Sequence, residues 1–144
     1  MSTPSPSTTF LNTASSESGL LRKALLGNSI FSTISGLLFV FAATPIAAFL
    51  GLSSPLVLRI VGAGLLFFAF VVYKTATFKP VNLQVAMGIV FGDLLWVIGS
   101  VVLIFTSLVA FTAAGKWAIA IVADIVLAFA IVQYLGIQKA RSAK

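Results

Sequence analysis

Residues 81–107 read VNLQVAMGIVFGDLLWVIGSVVLIFTS and contain a single charged side chain, that of Asp93. A helix needs about 20 mostly apolar residues to cross the roughly 30 Å hydrocarbon core of a bilayer, and this stretch is long enough to do so. Three further stretches qualify, at 24–44, 56–74 and 117–137. The sequence therefore predicts an all-α, polytopic membrane protein whose four helices form one bundle, with the lipid bilayer as its surroundings.

The composition excludes several classes of function. Of the 144 residues, 60% are hydrophobic and only 8% are charged, whereas a soluble domain carries about a quarter charged residues. The chain has no His and no Cys, which removes Ser-His and Cys-His nucleophiles, zinc sites built on those ligands and haem ligation by them. We expect neither a metal nor a cofactor, no catalytic residues, and no enzymatic activity.

The N-terminal segment differs from the rest of the chain. Residues 1–18 read MSTPSPSTTFLNTASSES, and a segment so rich in Ser, Thr and Pro has too few apolar side chains to offset the entropy lost on ordering. We predict a disordered tail over residues 1–19 and a four-helix transmembrane domain over 20–144. The short stretch 46–52 follows Pro45 and cannot span a bilayer, so we expect it at the membrane interface or in a re-entrant turn.

The basic residues predict the orientation. Seven of the nine Lys and Arg fall on one side of a four-span topology, and Arg59 and Lys116 fall on the other. The seven are Arg22, Lys23, Lys74, Lys79, Lys139, Arg141 and Lys144. Because positive charge accumulates in cytoplasmic loops, both termini are expected to be cytoplasmic. The cations form no continuous stripe, so nucleic acid is not an expected partner.

The two halves of the chain show a faint similarity at constant spacing. Six residues of the second span match six of the fourth in type and order: Ile60, Val61, Phe68, Ala69, Val71 and Tyr73 match Ile121, Val122, Phe129, Ala130, Val132 and Tyr134. Two parallel repeats, each a helical hairpin, would explain the match. Chance similarity between apolar helices explains it equally well, and both interpretations stay open.

Three ionisable residues lie inside predicted spans. An ionisable side chain deep in a bilayer costs at least about 2.5–3.5 kcal/mol on insertion scales, so it should face protein or water. At about 1.5 Å per residue, Asp93 is about 18 Å from residue 81 and Asp124 is about 14 Å from Gly115. The two carboxylates could share one level, and Arg59 lies near the start of its span, able to turn outward or towards Asp124.

Small and polar residues flank these positions. Ser100 follows Asp93 at a spacing of seven, which places both on one face of the third span. The other small and polar faces predicted to pack between helices are Gly88 with Gly92, Ala120 with Ala128, and Asn28 with Ser32 and Gly36. We expect these faces to converge and to bury both aspartates in the bundle or at an oligomer seam. Three alternative roles remain open for Asp93, Asp124 and Arg59: a structural ion pair, an ion or proton path, and a headgroup-binding site.

Parts of the chain resemble a group of known proteins. Residues 21–38 (LRKALLGNSIFSTISGLL), 59–62 (RIVG) and 93–100 (DLLWVIGS) are similar to small four-span bacterial integral membrane proteins to which no activity is assigned. The resemblance covers about residues 20–141 and implies a four-helix bundle without implying an activity. Small multidrug transporters have the same number of spans but carry an essential acidic residue in the first span, and the first span here has none.

Two hypotheses about function follow. The first is a non-enzymatic accessory or oligomerising membrane subunit, with a second copy or another membrane protein as partner. The second is a small transporter or channel that uses Asp93 and Asp124, with Arg59 near the outer entrance. Carboxylates that face a cavity would favour transport, whereas carboxylates bonded to neighbouring helices without a void would favour the accessory role.

Overall fold

A computed structural model describes the backbone of residues 6–142 and the side chains of residues 19–142. Its elements, in chain order, are the helices α1 (Pro6–Phe41), α2 (Ala43–Leu50), α3 (Leu56–Thr77), α4 (Leu83–Phe105) and α5 (Ala113–Ser142). No strand occurs in these residues, so the prediction of an all-α four-helix bundle is confirmed. Within the described residues, four segments are long and apolar enough to span a membrane: Gly19–Phe41, Leu56–Thr77, Leu83–Phe105 and Ala113–Ser142. The protein is a multi-pass membrane protein.

The predicted tail overlaps the start of α1. Helix α1 begins at Pro6, inside the segment 1–19 for which the sequence predicts disorder. Residues 1–5, residues 143–144 and the side chains up to Ser18 lie outside the described part of the protein. The disordered tail therefore stays a prediction, and the membrane-spanning part of α1 begins at Gly19.

A short helix closes one end of the bundle. Helix α1 ends at Phe41 and α2 begins at Ala43, so that Pro45 lies in the first turn of α2, where a missing N–H costs nothing. Gly51 ends α2 with φ of 85°, and a Cβ there would lie 2.9 Å from the carbonyl oxygen of Ala110. We call this end, where α2 contacts the α4–α5 connection, the α2 end.

Polar caps set the other helix boundaries. The Asn82 side chain accepts hydrogen bonds from the backbone N–H groups of Gln84 (3.0 Å) and Val85 (3.2 Å), and α4 begins at Leu83. Thr112 accepts one from the N–H of Gly115 at 2.9 Å and donates one to the carbonyl of Phe49 at 2.6 Å. Helix α5 therefore begins four residues before the predicted boundary at 117, because the expected loop residues form its first turn.

The helices pack as two hairpins placed side by side. Helix α1 packs along α3 and α4 packs along α5, while α1 also packs against α5; α3 and α4 approach each other little. This pairing agrees with two helical hairpins, although duplication itself stays a prediction. Many large apolar side chains are exposed around the bundle, including Phe41 and Phe105, each 83% exposed. Such a surface is suited to acyl chains.

Glycines allow the closest helix approaches. A Cβ on Gly62 would lie 2.8 Å from the carbonyl oxygen of Gly36, so α1 and α3 touch backbone to backbone there. A Cβ on Gly136 would lie 3.0 Å from the Cα of Leu21, which makes a second such contact between α1 and α5. Gly36 thus has the packing role predicted for it, whereas Gly88 has open space where its Cβ would be.

Candidate functional site

Asp93 is the centre of a buried polar network that joins three helices. Its carboxylate oxygen Oδ2 accepts a hydrogen bond from Nδ2 of Asn28 on α1 at 2.7 Å and another from Nε2 of Gln133 on α5 at 2.8 Å. Asp93, Asn28 and Gln133 are at most 3% exposed. Because the donors come from α1 and α5, the carboxylate of α4 ties together three of the four long helices.

The two amides are themselves held in place by hydrogen bonds. Asn28 Nδ2 also lies 3.4 Å from Oε1 of Gln133, and Oδ1 of Asn28 accepts a hydrogen bond from the Ser32 hydroxyl at 3.2 Å. Both amide oxygens are therefore engaged as acceptors, and both amide nitrogens are directed at Asp93. Such an arrangement presents Asp93 as a hydrogen-bond acceptor.

No described basic side chain bonds to this carboxylate. Within residues 19–142, the hydrogen bonds to Asp93 come from the two amides alone. The basic residues lie near the ends of the membrane-spanning segments or between them. Arg22, for example, donates to the carbonyl oxygen of Ala76 at 2.7 Å, near the end of α3. The bundle therefore buries a carboxylate whose charge is not balanced by a cation of its own described residues.

A cavity of about 530 Å³ adjoins Asp93 on the side towards the α2 end. All four long helices line it: Phe31, Ser32, Ile34, Ser35, Leu38 and Phe39 from α1, Gly64, Leu65 and Phe68 from α3, Gly92, Asp93 and Trp96 from α4, and Val122 and Val126 from α5. Asp93 is the one ionisable residue among them, and the remaining wall is mostly aliphatic and aromatic. Ile34 and Leu38 are about half exposed (55% and 51%), so the cavity reaches the lipid-facing surface.

Several residues predicted for the site are brought together there. Asn28 binds Asp93 directly, Ser32 binds Asn28 and lines the cavity, and Gly92 lines the cavity beside the Phe68 ring. Ser100 is buried as expected, but its hydroxyl donates to the carbonyl of Trp96 in its own helix at 2.8 Å. Ser100 is therefore outside the Asp93 network.

Of the two places predicted for the aspartates, the interior of the bundle holds Asp93 but not Asp124. Asp124 and Ala128 are exposed, and Ala120 is only partly buried. The buried stripe of α5 instead runs through Ala123, Val126, Ala130, Gln133 and Ile137. Because that stripe faces the core, Asp124 points away from it. The oligomer seam, which the sequence left as the other place for Asp124, stays a prediction, and Arg59 is exposed near the start of α3.

Gln133 is a residue of the site that was not predicted from the sequence. The predicted residues include the charged side chains of the spans and the amide of Asn28, but not this second amide in an apolar helix. An available signal was the spacing of Gln133 from Ala130 and Ile137, three and four residues away, which places it on their face of α5. A buried amide needs hydrogen-bond partners, so Gln133 and Asn28 together indicated a polar layer at the level of Asp93.

The chemical groups of the site determine what it can bind. Among residues 19–142 no group of three or more His, Cys, Asp or Glu side chains could hold a metal ion. The described site offers one carboxylate, two amides and two serine hydroxyls beside an apolar void, which can hold a ligand. Comparison of the chain with family models, with curated proteins and with solved structures finds no match.

Proposed function

We propose that the protein is a non-enzymatic integral membrane protein that binds a small, mainly apolar molecule inside the bilayer, as the substrate-binding unit of a small transporter does. The observation that carries this proposal is the cavity of about 530 Å³ that all four long helices line, with Asp93 as its one ionisable residue. Ligand sites in proteins are concave, mostly apolar and of about 300–1,000 Å³, with a few polar groups that fix the orientation of the ligand.

The position of the cavity supports uptake from the lipid. Its lining includes the half-exposed Ile34 and Leu38, which belong to the membrane-spanning part of α1. A ligand dissolved among the acyl chains could therefore enter without crossing a polar surface. The positive-inside bias remains our reason for proposing that both termini are cytoplasmic, which would place the cavity between mid-membrane and the outer leaflet.

Filling the cavity is expected to abolish binding. Gly64 lines it and has nothing within 4 Å of its Cβ position, so Gly64→Phe adds a ring without a backbone clash. Trp96 lines the cavity and Trp117 is 73% exposed, so a Trp117→Phe background leaves Trp96 as the only reporter. We expect saturable energy transfer from Trp96 to the neutral fluorophore N-phenyl-1-naphthylamine in nanodiscs, with at least ten-fold weaker binding in Gly64→Phe.

Gly88→Phe is the matched control, because Gly88 also has open space around it but is exposed and outside the cavity lining. Its binding curve is expected to coincide with that of the Trp117→Phe parent. Transfer that rises linearly with probe concentration, and equally in all three proteins, would reflect partition into lipid and would contradict the proposal.

A second candidate function, self-association as an oligomerising subunit, is favoured by the position of Asp124. Its carboxylate is exposed in the membrane-spanning part of α5, where contact with acyl chains would cost at least about 2.5–3.5 kcal/mol. The small side chains of Ala120 and Ala128 flank it one turn to either side. A second copy packed on this face would bring two Asp124 carboxyl groups within hydrogen-bonding distance of each other.

Cross-linking through single cysteines tests this candidate, since the chain contains no native Cys. Ala128→Cys is expected to form disulfide-linked dimers in dilute proteoliposomes, and Asp124→Leu in the same chain is expected to reduce their yield at least five-fold. Phe67→Cys, which is 72% exposed on α3, is the control and should remain monomeric. Equal yields from positions 128 and 67 would indicate random collision and would reject self-association through this face.

A further inference from the structure

The unbalanced charge of Asp93 restricts what the cavity can bind. We infer that its ligand is an organic cation: a single positive charge, such as a quaternary or protonated amine, carried on an apolar body. This inference rests on the proposed function and adds to it the chemical class of the ligand. It follows from the hydrogen bonds of the carboxylate, from the missing counter-charge, and from the wall of the cavity.

The hydrogen bonds of Asp93 all fall on one of its two carboxyl oxygens. Two amide N–H groups, from Asn28 and Gln133, donate to the same oxygen, Oδ2. Oδ1 accepts no hydrogen bond from the described residues, and Asp93 belongs to the cavity lining. One carboxylate oxygen is therefore committed to holding the helices together, and the other is left to bind a ligand.

A cationic ligand would neutralise the charge of this buried carboxylate. A buried carboxylate is costly unless it binds a proton or a partner of opposite charge neutralises it, and a buried ion pair that loses one member is strongly destabilised. Within residues 19–142, neither α1 nor α5 offers Asp93 a basic side chain where they pack against it. A ligand in the adjoining cavity is the one remaining source of a counter-charge from within the bundle.

The wall selects an organic cation over a hydrated metal ion. A hard cation such as Ca²⁺ takes six to eight oxygen ligands, whereas the lining provides the carboxylate of Asp93 and the hydroxyls of Ser32 and Ser35. Four aromatic rings also line the cavity, those of Phe31, Phe39, Phe68 and Trp96. The faces of aromatic rings attract organic cations, and the apolar remainder of the wall matches a hydrocarbon body.

Two competitors of the same shape test the inference. 4-Biphenyl-trimethylammonium and 4-tert-butylbiphenyl differ in charge but hardly in size, and each can displace N-phenyl-1-naphthylamine in the Trp96 assay. Asp93→Asn keeps the shape of the side chain and a carbonyl oxygen for the two amides. We expect this variant to bind the cation at least ten-fold more weakly than the parent protein does, and to bind the neutral compound less than two-fold more weakly. Asp124→Asn is the control and should change neither affinity.

Comparing each compound between two proteins cancels its partition into lipid. Equal changes for both competitors in Asp93→Asn, or no change for the cation, would overturn the cation inference while the cavity still binds the neutral fluorophore. A fluorophore that never binds saturably would instead reject the proposed function. Should Asp93→Asn fail to fold, the wild-type protein decides: the ammonium must compete at least ten-fold better than biphenyl-4-sulfonate at equal membrane concentration, and equal competition overturns the inference.

Discussion

Asp93→Ala is expected to lower the free energy of unfolding by about 2–4 kcal/mol. The substitution leaves Nδ2 of Asn28 and Nε2 of Gln133 without their shared acceptor in the interior of the bundle, and each buried donor without a partner costs about 1–3 kcal/mol. The 3.4 Å contact between Asn28 Nδ2 and Gln133 Oε1 can recover part of that loss, which sets the upper limit. The measurement is the loss of helical circular dichroism as SDS is added to mixed micelles.

Two further variants identify the cause of that effect. Asp93→Asn retains an acceptor oxygen and should lose less than half as much stability as Asp93→Ala. Phe67→Ala shortens a side chain that is 72% exposed on α3 and should change the free energy of unfolding by no more than about 1 kcal/mol. If Asp93→Ala unfolds at the same SDS fraction as the wild type, the amides satisfy one another and the network does not hold the three helices together.

Gly62→Ala is expected to destabilise the α1–α3 pair by about 1–3 kcal/mol, as overpacking does in well-packed cores. The added Cβ would lie 2.8 Å from the carbonyl oxygen of Gly36, 2.8 Å from the Cβ of Phe39 and 3.0 Å from a methyl group of Val40. The Gly36 oxygen belongs to the backbone and cannot rotate away, so α1 and α3 must separate. The same SDS titration reports the loss.

Gly64→Ala is the matched control for this effect. Gly64 lies two residues further along α3 and has nothing within 4 Å of its Cβ position. Alanine is also the better helix former by about 0.5–1 kcal/mol, so this variant should be as stable as the wild type or slightly more stable. Equal destabilisation by both substitutions would show that the glycines of α3 matter for its backbone and not for its contact with α1.

Because the helices pack as two hairpins, Gly62 and Asp93 affect different helix contacts. Gly62 acts on the contact between α1 and α3, whereas Asp93 acts where α4 and α5 meet α1. The two sites share helix α1 but no side-chain contact that the structure records between them. The losses of Gly62→Ala and Asp93→Ala should therefore be nearly additive in the double variant, within about 0.5 kcal/mol.

Part of the candidate site could be predicted from the sequence. The positions of the remaining side chains could not, for one physical reason. The sequence identified Asp93 and Asn28 because a charged and an amide side chain are expensive in an apolar span wherever they point. It left Asp124 either in the bundle or at an oligomer seam, because α5 is apolar around much of its circumference and its periodicity does not say which face is inward. The inward face depends on contacts such as that of Gly136 with Leu21.

The sequence by itself determined that the chain is helical, that four segments are long enough to span a bilayer, and that acidic groups lie within them, because the length and polarity of a segment decide how it partitions into lipid. Tertiary structure alone decided the rotation of each helix about its axis. That rotation turns Asp93 and Gln133 towards each other, turns Asp124 outward and leaves a cavity between the four helices. Rotation is a property of pairs of packed surfaces, and no single segment of the chain encodes it.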